Sequence, residues 1–223
     1  MKMVWLLFVC FATALCAPLV AAETEAEVAY TRTITERADK IVAQLQLTNR
    51  DHATRVRDLI TRQYRDLNAI HSVRDQQSAA AKTIADKAAA EAATQAAKNE
   101  AKPRLEKLHG EFLERLSQEL SPAQIVQVKD GLTYGVVPLT YRVYLQMYPD
   151  LTEAQKKQIM DWLAEAREIA MDGSTSSEKH AVFGKYKGRI NNYLSKAGYD
   201  AKKGEQNLKK APAPKSDVKS QSP

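Results

Sequence analysis

Cysteine is almost absent from this chain of 223 residues, and its two cysteines, Cys10 and Cys16, both lie near the N-terminus. From residue 23 onwards the chain has no thiol. That part of the chain can therefore have no disulfide framework, no cysteine nucleophile and no cysteine-ligated metal. Its stability must come from a packed core.

Long apolar runs are missing beyond the first twenty residues, which excludes a multispan membrane protein. Aromatic residues make up only 7% of the chain, but hydrophobic residues reach 44%, too many for a wholly disordered protein. Glycine and proline are scarce, with eight of each. A length of 223 residues predicts one domain, or two at most.

The N-terminal segment has the features of an export signal. Lys2 provides a positive charge, residues 3–16 are apolar, and Val20, Ala21 and Ala22 are small residues before Glu23. This order predicts a cleavable signal peptide over residues 1–22 and export to the periplasm or the extracellular space. A single membrane anchor is the alternative, but Pro18 interrupts a run that is already short.

The net charge of +6 is concentrated at the C-terminal end. Residues 201–223 have six lysines against Glu205 and Asp217, whereas residues 23–200 are close to neutral. A nucleic-acid-binding protein would have its basic residues on the fold, so we expect no nucleic acid partner. We also expect no membrane partner once the signal peptide has been cleaved. With its Ala-Pro repeat at 211–214, the segment 201–223 is predicted to be a disordered basic tail.

Apolar residues at helical spacing predict a single all-α domain over residues 23–200, with about six helices in an irregular bundle. Three helix starts share a leucine, a hydroxyl and an Asp or Gln three residues later, beginning at Thr48, Ser121 and Thr152. This arrangement predicts capping boxes. It also resembles the Leu-Thr-x-x-Gln pattern of small helical periplasmic chaperones.

Residues 76–102 differ from the rest of the chain because twelve of these 27 residues are alanine. Alanine favours helix but has little surface to bury. We therefore predict a helical arm or a hairpin tip over 76–102, and a new helix starting at Pro103.

Residues 130–200 contain most of the unusual composition. Nine of the twelve aromatic residues that follow residue 22 lie between Tyr134 and Tyr199. Residues 130–138 contain two glycines and Pro138, which predicts an ordered loop before a short helix over 139–148. The last helix, over 177–197, has Gly184 and Gly188 in its interior, each costing about 1 kcal/mol relative to alanine. We expect either a closely packed helix or a ligand to occupy the space that the missing side chains leave.

Carbohydrate sites combine aromatic faces with planar or charged polar groups, and the C-terminal third has both. The candidate ligand-binding residues are Tyr134, Tyr141, His180, Gly184, Lys185, Gly188, Arg189, Asn191 and Asn192. The same composition also suits a tyrosine-rich interface between helices. We predict no catalytic residue, cofactor or metal site, because the four histidines have no metal-ligand spacing. Acidic residues such as Glu165 and Glu168 are expected to pair with Arg167 and neighbouring lysines.

Three segments resemble a family of uncharacterised secreted bacterial proteins, a domain of unknown function. They are Lys129–Pro138, Ala166–Asp172 and His180–Leu194, and the resemblance extends over about residues 30–200. It implies a relation to bacteria that degrade polysaccharides, and sugar binding has been suggested for the family. It implies no catalytic residues.

Three functional hypotheses follow. A non-enzymatic, exported saccharide-binding protein should have an exposed cleft of Tyr, Asn and Lys near the last helix. A periplasmic helical chaperone or stress protein should have an exposed apolar concave surface. An enzyme, such as a lyase acting on acidic sugars, should bring His180, Lys185 or Arg189 together in a cleft, with a perturbed pKa. The first hypothesis is favoured, with oligosaccharide or polysaccharide as the partner.

Overall fold

The computed structural model describes residues 24–210, and every regular element in that range is an α-helix. The eight helices are α1 (Glu25–Gln44), α2 (Arg50–Ala81), α3 (Lys87–Glu119), α4 (Pro122–Leu132), α5 (Val136–Met147), α6 (Glu153–Ala170), α7 (Ser176–Lys196) and α8 (Ala201–Lys210). The all-α prediction is confirmed, although residues 24–210 form eight helices rather than about six. None of these helices has the length and apolar character needed to span a bilayer. The predicted signal peptide, residues 1–22, lies outside the described residues.

Two of the three predicted capping boxes are present. The Ser121 hydroxyl accepts a hydrogen bond from the Gln124 N–H, and the Gln124 side chain accepts one from the Ser121 N–H. Thr152 caps α6 in the same way. The prediction for α2 is wrong by one residue, because Asn49, not Thr48, accepts the hydrogen bond from the His52 N–H. An asparagine side chain satisfies the same early helical donor as a hydroxyl does.

The Ala-rich segment is a helical hairpin, made by the end of α2 and the start of α3. Small residues allow the two helices to approach closely, and Ala81, Ala97 and Ala101 are buried. Pro103 does not start a helix, because α3 begins at Lys87, after the Asp86 cap, and continues through the proline. Proline removes one backbone hydrogen bond. The packing of α3 against α2 offsets that loss.

The predicted loop over residues 130–138 is shorter than expected. Helix α4 runs to Leu132 and α5 begins at Val136, so only a tight turn separates them. Tyr134 and Gly135 make this turn with φ angles of 59° and 66°. Pro138 lies in the first turn of α5, where the backbone N–H groups have no intrahelical partner, so it costs no hydrogen bond there.

The predicted disordered tail is wrong for residues 201–210, which form α8. Gly204 is buried, and a side chain there would meet the Tyr148 ring at 2.9 Å. Asn207 donates a hydrogen bond to the Met147 carbonyl oxygen at 3.0 Å. The lysine-rich composition suggested disorder, but a small residue lets this polar helix pack against α5. Residues 211–223 lie outside the described range.

Residues 24–210 form two hydrophobic cores. In the N-terminal half (residues 24–132, α1–α4), Ile41, Val56, Phe112 and Leu116 are among the buried core residues. The core of the C-terminal half (residues 136–210, α5–α8) is formed from α5, α6 and α7. Met171, which follows α6, inserts into the core of the N-terminal half.

Candidate ligand-binding cleft

A cleft of about 710 Å³ lies where the two halves meet, between the α2–α3 hairpin and α6–α7. The backbones of α3 and α7 stay apart, which leaves the space open. Each helix faces the cleft with residues at helical spacing. Those of α3 are Lys98, Ala101, Lys102, Leu105, Glu106 and His109, and those of α7 are Glu178, Ala181, Val182 and Lys185. The volume is in the range of small-molecule sites, about 300–1,000 Å³.

Aliphatic side chains form one part of the lining. Leu105 comes from α3, Ile169 from α6 and Val182 from α7. Ile169 is 51% exposed, unusual for a large aliphatic residue on a packed helix. No Tyr, Trp or Phe lines the cleft. Any apolar contact with a ligand therefore comes from aliphatic groups rather than from rings.

The polar end of the cleft is built around His109. Its Nδ1 atom lies 2.8 Å from the Asp172 carboxylate, and its Nε2 atom lies 3.7 Å from Glu168. Lys129 donates a hydrogen bond of 2.6 Å to the same Glu168 carboxylate. The hydrogen bond to Asp172 raises the pKa of His109 above its usual value, and the Asp172 and Glu168 charges add to the effect. The imidazolium form is thus favoured between two carboxylates.

A second histidine, His71, is hydrogen-bonded to Asp172. His71 is buried, and its Nε2 atom donates a hydrogen bond of 2.7 Å to the backbone carbonyl of Asp172. Both histidines of the cleft therefore contact Asp172, one through the side chain and one through the backbone. This arrangement fixes the end of α6 against α2 and α3.

Further charged pairs join the halves close to the cleft. Arg167, which is buried, donates a hydrogen bond of 2.7 Å to Asp130. Two of the segments singled out in the sequence, 129–138 and 166–172, therefore meet here. The predicted pairing of Glu168 with Arg167 and a lysine is confirmed. Glu168 lies 3.7 Å from the Arg167 guanidinium and 2.6 Å from the Lys129 Nζ atom.

Comparison with known proteins gives the family of the chain. Residues 31–212 match the family described as protein of unknown function (DUF3826). The chain belongs to this family. No curated protein matches the chain. The resemblance to a domain of unknown function is confirmed, and all the residues that line the cleft lie within the DUF3826 match.

One of the nine candidate residues, Lys185, lines the cleft of the DUF3826 domain. Tyr134 and His180 are brought together elsewhere, with their rings stacked at 5.9 Å. Next to Tyr134 lies Lys179, which is 4% exposed and has its Nζ atom 5.9 Å from the rings of both Tyr134 and Tyr64. This lysine donates a hydrogen bond of 2.8 Å to the Leu132 carbonyl. Burial lowers its pKa to about 8.

The polar candidates of α7 lie on different sides of the helix. Arg189 lies over the Trp162 ring at 4.8 Å and pairs with Glu165 at 3.6 Å. Asn191 accepts a hydrogen bond of 2.8 Å from the Tyr144 hydroxyl, and Asn192 is exposed. His180, Lys185 and Arg189 do not converge, so the arrangement expected of the enzyme hypothesis is not present.

Gly184 and Gly188 of α7 are not packing positions within residues 24–210. A side chain at Gly184 or Gly188 would meet nothing within 4 Å. The prediction of a closely packed helix at these glycines is therefore wrong for the described residues, because α7 buries its opposite face with Phe183 and Ile190.

The tyrosines of residues 141–148 pack in the C-terminal core rather than in a cleft. Tyr144 and Tyr148 are buried, and Tyr141 packs against the same core. Within residues 24–210, the tyrosines at positions 141–148 therefore do not form the expected exposed cleft, whereas Tyr134 is exposed beside α7. Within residues 24–210, no three His, Cys, Asp or Glu side chains are grouped as metal ligands would be.

Sequence reasoning did not find His109 or Asp172. Glu168 lies near the end of α6, and Asp172 lies two residues after that end. The only local signal was that both belong to the segment Ala166–Asp172. His109 is 63 residues from Asp172, so their contact depends on how α3 packs near α6.

Proposed function

We propose that this protein is an exported saccharide-binding protein and that its ligand occupies the cleft between the two halves. The observation that supports this proposal is the cleft itself, about 710 Å³ with aliphatic and charged residues on facing helices. The C–H faces of a sugar ring can pack on Leu105, Ile169 and Val182. Its hydroxyl groups can exchange hydrogen bonds with the charged side chains.

The experiment compares a variant that fills the cleft with one that does not. Ala181 faces the cleft from α7, and Ala181→Trp would occupy the space. Ala92 is exposed on the hairpin and does not line the cleft, so Ala92→Trp is the matched control. Both proteins and the parent are titrated calorimetrically with a panel of neutral and acidic oligosaccharides.

We expect the parent and Ala92→Trp to bind a member of the panel and Ala181→Trp to lose that binding. A ligand at about 100 times its Kd should also stabilise the parent by about 2.7 kcal/mol, measurable as a raised Tm. Equal binding by Ala181→Trp would place the ligand outside the cleft. No binding to the parent across the panel would overturn the proposal.

Export is the second part of the proposal, and the composition of residues 1–22 supports it. Expression of the full chain in a bacterium should give a mature protein that starts at Glu23, as measured by intact mass and N-terminal sequencing. Retention of residues 1–22 in the purified protein would contradict cleavage.

A chaperone is a second candidate, favoured by the 51% exposure of Ile169 in the aliphatic lining. A chaperone of this kind would suppress aggregation of an unfolded client protein, and Ile169→Asp would weaken the suppression because it places a charge on the apolar surface. If the parent suppresses aggregation and binds no saccharide, this candidate replaces the first.

A further inference from the structure

The cleft contains two lysines from different helices that have no counter-ion among residues 24–210. Lys98 lies on α3 and Lys185 on α7, and both are exposed. Neither forms an ion pair within that part of the chain. Two positive charges thus border one space, on separate elements.

The other charges of the cleft are already paired. Arg74 pairs with Glu178 at 2.9 Å and with its neighbour Asp75 at 2.7 Å, and Lys102 pairs with Glu106 at 3.8 Å. Asp172 is paired with His109, and Glu168 with Lys129. Since each acidic residue of the lining has a cationic partner, the charge left for a ligand is positive and resides on Lys98 and Lys185.

The long dimension of the cleft gives the approximate size of the ligand. Lys98 and His109 are eleven residues apart on α3, which corresponds to about 16 Å along the helix axis. That length exceeds a single sugar ring and suits a short oligosaccharide. An oligosaccharide with an acidic group on each unit could place one near each lysine.

We propose that the ligand is an anionic oligosaccharide, with Lys98 and Lys185 each binding one of its acidic groups. This inference depends on the proposed function and adds the class of ligand. Lysine binds an anion as a compact point charge, so a carboxylate of a uronic acid and a sulfate ester share the required chemistry. The lysines are accessible to solvent, so their contribution falls as the salt concentration rises.

The test uses the full mature chain and defined probes. Oligogalacturonates are compared with the same oligomers reduced at the carboxyl group, which are neutral, and with a sulfated neutral oligosaccharide. The variants are Lys98→Gln and Lys185→Gln. Lys40→Gln is the control, because Lys40 is exposed on α1, lies outside the cleft and gives the same change in net charge.

We expect the acidic oligomers to bind more tightly than the neutral ones. Each cleft variant should raise the Kd by up to about fivefold, since an exposed ion pair is worth up to about 1 kcal/mol, and both should reduce the dependence of the Kd on salt. Lys40→Gln should leave the Kd unchanged. If only the sulfated probe binds, the anionic class is correct and the acidic group is a sulfate ester.

Two results would overturn the inference while leaving the proposed function in place. In one, acidic and neutral oligomers bind equally well, and Ala181→Trp abolishes the binding of both. The other is an equal loss of affinity in Lys40→Gln, which would indicate attraction to the overall charge rather than to the two lysines. If no oligosaccharide binds, the proposed function and this inference both fail.

Discussion

The two halves of the molecule form their cores from different kinds of residues. In the N-terminal half, α2 and α3 have 32 and 33 residues, and the core is aliphatic apart from Phe112. In the C-terminal half, α5 has 12 residues and α6 has 18, and the buried core includes Tyr144, Tyr148 and Phe183. A short helix has few positions facing the core, so larger side chains are needed to bury a comparable area. Eight of the nine aromatic residues between Tyr134 and Tyr199 belong to this core or pack against it, and Tyr134 is the exception.

Two tyrosine hydroxyl groups of this core have hydrogen-bond partners. Tyr144 donates to Asn191 at 2.8 Å, and Tyr199 donates to Gln155 at 2.9 Å. A buried hydroxyl without a partner would cost about 1–3 kcal/mol, which these bonds avoid. Asn191, a candidate ligand-binding residue in the sequence, thus serves the core.

The boundary between the halves differs from both cores because it is mainly polar. Charged pairs cross it at Lys129–Glu168, Arg167–Asp130 and Arg74–Glu178. Met171 adds apolar packing with the core of the N-terminal half. A polar boundary beside an open cleft is suited to a ligand that touches both halves.

The largest expected effect comes from removing a core side chain in each half. Leu116 and Leu163 are fully buried, one in each core, and Leu116→Ala and Leu163→Ala should each cost about 2–5 kcal/mol of unfolding free energy. Unfolding in guanidinium chloride is followed by circular dichroism and by fluorescence of Trp162, which reports on the C-terminal half. We expect both signals to shift together in each variant. Separate transitions would show that the halves unfold independently.

Alanine at two glycines should have opposite effects. A side chain at Gly131 would lie 2.6 Å from Ile41 Cγ1, at the contact between α4 and α1, so Gly131→Ala should destabilise the protein by about 1–3 kcal/mol. Gly188 faces open space, so Gly188→Ala should stabilise it by about 1 kcal/mol through helix propensity. The measurement is the denaturation midpoint of each variant. Destabilisation by Gly188→Ala would reveal a contact of α7 that the fold does not show.

The buried Lys179 predicts a stability that increases at alkaline pH. Its pKa is lowered to about 8 in the folded state, so the unfolded chain binds the proton more tightly. The unfolding free energy should therefore rise by about 2 kcal/mol between pH 8 and pH 10. Lys179→Met should remove this rise. A parent protein with the same pH dependence as Lys179→Met would contradict the prediction.

The raised pKa of His109 predicts a smaller change in the unfolding free energy with pH, of the opposite sign. Its pKa is raised in the folded state, so its contribution is complete below the unfolded pKa of about 6.5 and is lost as the pH rises through the folded value. Asp172→Asn removes the main cause of the raised pKa. The unfolding free energy of this variant should therefore change less with pH above about 6.5. His52→Gln is the control, since His52 contacts Glu119 far from the cleft. An unchanged pH profile in Asp172→Asn would show that the pair does not stabilise the boundary.

Local sequence signals predicted much of the helical structure. The Ser121 and Thr152 caps and the extent of α7 depend on neighbouring residues, and the structure confirms them. Local signals were less reliable where tertiary packing determines the local structure. Pro103 lies inside a helix, and the lysine-rich residues 201–210 fold onto α5 because Gly204 fits against Tyr148.

The sequence by itself determined that the described chain is helical, because apolar spacing and caps act over a few residues. Only the tertiary structure decided where a ligand could bind. The cleft depends on His109 and Asp172, which are 63 residues apart, and on Lys98 and Lys185, which lie on different helices. Contacts at that separation are set by the packing of whole helices, and no local pattern of residues specifies them.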